Sequence, residues 1–135
     1  MTALTKDFAR EYREGVELEF LVKTNSQIYA GALVMLDVNG LLIPGADTAS
    51  CVFAGVAQEN VLGDGTKTCR VRTEGVFTVA TAGLTQAVVG VKAYLVDDTT
   101  VALAATTTND ILVGRITKFI SASQVQVKIN SAAQS

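Results

Sequence analysis

The chain has 135 residues, enough for one domain that buries about two-thirds of its unfolded surface. Its formal net charge is −2, so a polyanion finds no electrostatic hold and nucleic acid is excluded as the expected partner. There is no His and no Trp, aromatics make up 6%, and Val, Ala, Thr and Gly carry a composition that favours sheet over helix.

From the start of the chain, "MTALTKDFAR" reaches charge within six residues and has no apolar core, so no signal peptide is expected and the protein is expected to fold inside a cell. Residues 5–14, "TKDFAREYRE", read either as a short helix or as an extended charged arm. Thr5 could cap the helix, Phe8 and Tyr12 stand at i, i+4, and Gly15 could end it. Ten residues are marginal for an isolated helix, which favours the arm. The expected organisation is an arm or short helix over 1–15, one β domain over 16–130, and a tail over 131–135.

Alternation marks the strands that follow. "VELEFLV" sets Val16, Leu18, Phe20 and Val22 against Glu17 and Glu19; "KTCRVRT" sets Cys69, Val71 and Thr73 against Arg70 and Arg72. "QVQVKIN" sets Val125, Val127 and Ile129 against Gln124, Gln126 and Lys128. Such strands suit antiparallel sheet with one wet face. Asn39-Gly40 predicts a hairpin because both positions tolerate positive φ. Gly63-Asp64-Gly65 and Asp97-Asp98 predict further turns, and Pro44 follows a strand, where its missing N–H does little harm. "ATTTND", residues 105–110, is a loop by composition. The fold class expected is all-β, a small antiparallel barrel or sandwich with an N-terminal arm.

A repeat runs beneath these strands. Gly31 and Gly90 stand 59 residues apart, and so do Gly55 and Gly114. Under that shift "YAGALVMLDVNG" falls on "VVGVKAYLVDDT" and "VFAGVAQEN" on "ILVGRITKF". After a gap of about three residues, "TCRVRTEG" meets "VQVKINSA" and Val71 meets Val127. The pattern reads as two duplicated strand-turn-strand-strand units; chance likeness between Gly/Val-rich strands stays open beside it. Glycine weakens a strand unless it marks a bend, bulge or close approach, so Gly31, Gly55, Gly90 and Gly114 are read as structural bends.

Chemistry is sparse. Without His there is no Ser-His-Asp or Cys-His arrangement, so no catalytic residue is assigned. "GDGTK" at 63–67 lacks the core of a phosphate loop, and Asp64 alone is too little for calcium. Cys51 and Cys69, both in apparent strands, read as small buried apolar residues and not as a metal site or disulfide. No cofactor, metal or membrane span is expected: the longest apolar run, "IYAGALVML", is far too short to cross a bilayer. Nine of the 24 charged residues lie within residues 1–23, which leaves a lightly charged body suited to burying surface in a homo-oligomer.

The ordered set "MTALT", "IYAGALVMLDVNGLLIPGA", "FAGVAQE", "CRVRTEGVFTVA" and "KAYLVDDTTVA" resembles a family of small tailed-phage and prophage proteins associated with capsid decoration, or head cement. The resemblance covers about residues 1–130. It implies a non-enzymatic β-rich virion protein, made in the bacterial cytoplasm, that binds the outside of an expanded head. Its implied partners are the major capsid protein and its own copies, often as a trimer. With it, residues 2–14 are expected to supply capsid contact, Phe8 and Tyr12 as apolar anchors with Arg10 and Arg13 beside them. The alternative is a carbohydrate- or host-surface-binding β module displayed on a virion.

Overall fold

The structure, a computed structural model, describes residues 6–7 and 16–130. The first half forms β1 (Glu17–Leu21), β2 (Gln27–Ile28), β3 (Leu33–Leu36), β4 (Leu42–Pro44), β5 (Val52–Ala57), β6 (Val61–Leu62) and β7 (Thr68–Arg72). The second forms β8 (Glu74–Ala80), β9 (Lys92–Leu95), β10 (Val101–Ala102), β11 (Leu112–Ser121) and β12 (Gln124–Asn130). The protein is all-β, as its composition predicts, with two single-turn 3-10 helices at Gln86–Val88 and Ala104–Thr106.

The strands make two five-stranded antiparallel sheets, ordered β1-β7-β5-β3-β4 and β8-β12-β11-β9-β10, plus the two-stranded ribbon β2-β6. The two orders are the same order. Each strand of the second sheet holds the place of its counterpart in the first, and the pairing registers agree residue by residue. Val34 faces Gly55 and Met35 faces Phe53, which leaves Ala54 as the extra residue of a bulge. Fifty-nine positions on, Ala93 faces Gly114 and Tyr94 faces Leu112, which leaves Val113 extra. The amide of Gly31 donates to Ala57 O at 2.8 Å, and that of Gly90 to Ile116 O at 2.7 Å. The repeat is larger than the sequence pattern suggests, because β1 and β8 belong to it. Leu18 faces Val71 as Phe77 faces Val127.

Between barrel and sandwich, the structure gives two curled sheets, each nearly closed. Val22, just past β1, forms a parallel bridge to Leu42 of β4; Ala80 of β8 bridges to Thr100 beside β10. The hollow of the first curl is filled by Val22, Val34, Leu42, Cys69 and Val71 and plugged from the ribbon by Ile28, all fully buried. A side chain like Ile28 contributes about 2 kcal/mol relative to exposure. No counterpart of the ribbon exists in the second unit among the described residues. There Ala93, Val113, Ile116, Val125 and Val127 share one core with Leu33, Met35, Phe53 and Val56, which belong to the outer face of the first curl. The first unit's back thus completes the second unit's core.

Turn side chains set the connections. Asp37 Oδ1 accepts the amides of Asn39 (2.8 Å) and Leu41 (3.0 Å) between β3 and β4. Only Gly40, at φ 77°, enters the left-handed region, so the hairpin has a three-residue loop and not the two-residue turn that Asn39-Gly40 suggests. Asp47 ties the units together, accepting the amides of Thr108 (2.7 Å) and Asn109 (2.9 Å) from the equivalent loop 61 and 62 residues on.

Candidate functional site

Phe8, Arg10, Tyr12 and Arg13 lie outside the described residues, as do the rest of the 8–15 segment and the 131–135 tail. The four glycines occupy matched places. Gly31 and Gly90 hold φ 87° and 91° with open space around them. At Gly55 a Cβ would lie 2.3 Å from Arg72 O, and at Gly114 it would lie 2.1 Å from Lys128 O. These two let a neighbouring strand approach more closely than any side chain permits.

Asp64 and Asp97 are engaged in turn geometry. Asp64 Oδ1 accepts from the amide and hydroxyl of Thr66, both at 2.9 Å, and from the amide of Lys67 at 3.0 Å. The Thr66 amide above all holds its carboxyl below the usual range. Asp97 Oδ1 accepts the Thr99 amide at 2.9 Å, which makes its segment a self-bonded turn. Cys69 is buried in β7 as expected, whereas Cys51 is half-buried and sits just before β5, not in a strand. Both thiols are pushed up, chiefly by burial, and both are free. Among the described residues no group of metal-ligating side chains converges, and no helix is long and apolar enough to cross a membrane.

The surface features that do stand out come from the repeat. A cleft of 360 Å³ opens where the outer face of the first curl meets β8; its walls include Gly31, Val56 and Gln58 on one side and Phe77, Thr78 and Val79 on the other. A hollow of 480 Å³ lies at the matching place on the second curl, with Gly90, Arg115 and Thr117 at the corresponding positions and Lys128, Ile129 and Asn130 as its far wall. Beside it runs a row of cations. Arg115 of β11 faces Lys92 of β9 on one side and Lys128 of β12 on the other, and all three are exposed. Arg115 Nη1 donates to Gly90 O at 3.0 Å, which holds its guanidinium at the hollow's rim. Sequence reading missed this row. The signal was present in the 59-residue shift, which sets Lys92 on Leu33 and Arg115 on Val56, charge where the first unit has core.

A family model described as "Phage cement protein" matches residues 12–130. The chain belongs to the phage cement protein family. The match spans every strand of both units, from β1 to β12, so family membership applies to the whole repeated fold. It brings a structural role and an association with the phage capsid, and it agrees with the likeness carried by "FAGVAQE" and "KAYLVDDTTVA". Searches among curated proteins and among solved structures return no match.

Proposed function

We propose that this cement-family chain binds the outer surface of an expanded phage head and holds neighbouring major capsid subunits together against internal pressure. It acts as a homo-oligomer, a trimer in the expected form, on the exterior of the virion, after synthesis in the bacterial host cytoplasm. It is a structural protein and not an enzyme. The observation that carries this reading is the family match across residues 12–130, which takes in all twelve strands. A lightly charged all-β body supports it, since a folded body of that kind offers surface at little ordering cost.

Within this reading the chain is organised as an arm over 1–15, one β domain over 16–130 and a tail over 131–135. Residues 2–14 contact the capsid, with Phe8 and Tyr12 as anchors and Arg10 and Arg13 as charged contacts. Co-sedimentation with empty expanded heads tests both levels. The full chain pellets with the heads and a 2–14 deletion pellets less. A full chain that stays in the supernatant overturns the cement reading, and a deletion that binds as well as the full chain overturns the arm. The glycan-binding alternative gains no support: Tyr29 is the aromatic exposed among the described residues, at 59%, and one ring makes a poor sugar platform.

A further inference from the structure

Residues 74–130 hold four cations, and the fold gathers all of them on one sheet face. Lys92 of β9, Arg115 of β11 and Lys128 of β12 stand directly across from one another. Lys118 faces Gln126, which lies on the same face of β12 as Lys128. All four are exposed. Like charges set opposite one another destabilise a sheet, so the row costs stability in the free chain. Most carboxylates of the same unit lie elsewhere: Asp97 and Asp98 follow the far end of β9, and Asp110 precedes β11. Glu74 lines a hollow with Lys128 and Arg72, yet among the described residues no salt bridge joins it to either.

The first unit serves as an internal control. There Arg72 faces Glu17 and Arg70 faces Glu19 across β7 and β1. At the matched places Lys128 faces Val76 and Gln126 faces Thr78, so the second unit lacks the answering carboxylates. Leu33 and Val56, which match Lys92 and Arg115, are buried in the shared core. The same backbone sites are covered in one unit and open in the other. Charge at the open sites selects an anionic partner.

Position narrows that partner. Val16, where the chain enters β1, lines a hollow of 390 Å³ with Lys128, Ile129 and Asn130. Those three residues also wall the 480 Å³ hollow that holds Arg115. Residues 2–14, the proposed capsid contact, thus lead into the fold at the border of the cationic face.

We propose that this face of the second curl seats a carboxylate-bearing segment of the major capsid protein. Lys92, Arg115 and Lys128 pair with its Asp and Glu side chains, beside the contact made by residues 2–14. In a chain of net charge −2, one cationic face also orients the molecule as it approaches an acidic surface. This rests on the capsid part of the proposed function and adds the surface and the chemistry of the partner.

The test is co-sedimentation with empty expanded heads, followed by carbodiimide coupling on the decorated heads. Lys92→Glu with Lys128→Glu sets a carboxylate on each side of Arg115, which pairs opposite charges across the strands and keeps the fold. This variant is expected to bind heads at least about tenfold more weakly. Its unfolding midpoint is expected to be no lower than that of the wild type. Lys23→Glu with Lys67→Glu makes the same change of net charge at exposed sites of the first unit and is expected to bind within about threefold of wild type. Carbodiimide is expected to join Lys92, Lys118 or Lys128 to Asp or Glu of the capsid subunit, a result that needs no variant to fold. A wild-type chain that ignores heads overturns the cement reading and this inference together. If the wild type pellets, a row variant with undiminished binding overturns the inference alone, and so does a first-unit variant that loses as much. Coupling of the row to carboxylates of another copy overturns it too, because the face then joins copies to each other.

Discussion

Gly114 stands in β11 where Gly55 stands in β5, and each has a carbonyl oxygen where a Cβ would be: Lys128 O for one, Arg72 O for the other. The same close approach is thus built twice, at the strand pair that carries each unit's core. Alanine at either position forces that pair apart. We expect Gly114→Ala and Gly55→Ala to cost about 3 kcal/mol each. Gly90→Ala, which meets nothing within 4 Å but must hold φ 91°, costs about 1–2 kcal/mol. Urea unfolding of the three variants gives the ranking.

The units are alike in backbone and unlike in what they bury. Val56 is 5% exposed in the shared core, while Arg115 at the matched place faces water. Val56→Arg, which writes the second unit's residue into the first, leaves an unpaired charge inside and is expected to destabilise by more than about 3 kcal/mol. The reverse exchange, Arg115→Val, changes unfolding midpoints little. Denaturant curves of the two variants check this asymmetry.

Three aspartates make the fold sensitive to acid. Asp37, through the amides of Leu41 and Asn39, Asp47, through those of Thr108 and Asn109, and Asp64, through Thr66 and Lys67, all hold carboxyls below the usual range. A folded-state value below the unfolded one means that the stabilisation is fully present above the unfolded value, about 4, and is lost as pH falls further. The midpoint temperature should therefore be flat above about pH 5 and fall below about pH 4. Asp47→Ala flattens part of that fall, because it removes the clasp between the two loops.

The thiols should separate by exposure. Cys51 is half-buried and Cys69 buried, and burial raises both above the ordinary thiol value. Alkylation at neutral pH is expected to be slow at both, faster at Cys51, and at Cys69 to require unfolding. Mass spectrometry of a timed reaction reads the order.

Much of this architecture was legible in the sequence, for identifiable reasons. Strands with one wet face show their alternation, so β1, β7 and β12 could be read from "VELEFLV", "KTCRVRT" and "QVQVKIN". The 59-residue step was visible through Gly31, Gly55, Gly90 and Gly114 because glycine at a strained or crowded position has no substitute. The partnership of β1 with β8 was hidden, since "ELEFL" and "EGVFTVA" share a place in the sheet and little side-chain chemistry. The ribbon β2-β6 was hidden too: two-residue strands carry no period. The cationic row was missed because Lys92, Arg115 and Lys128 lie on three separate strands, and only pairing registers bring them side by side.

On the proposed function, the protein strengthens a phage head from outside. Heating genome-free expanded heads with and without saturating protein, and scoring disruption by light scattering, tests it most directly. Decorated heads are expected to come apart at a higher temperature, and the gain to disappear when the protein is stripped. Heads that bind the protein yet break at the same temperature as bare ones would contradict it.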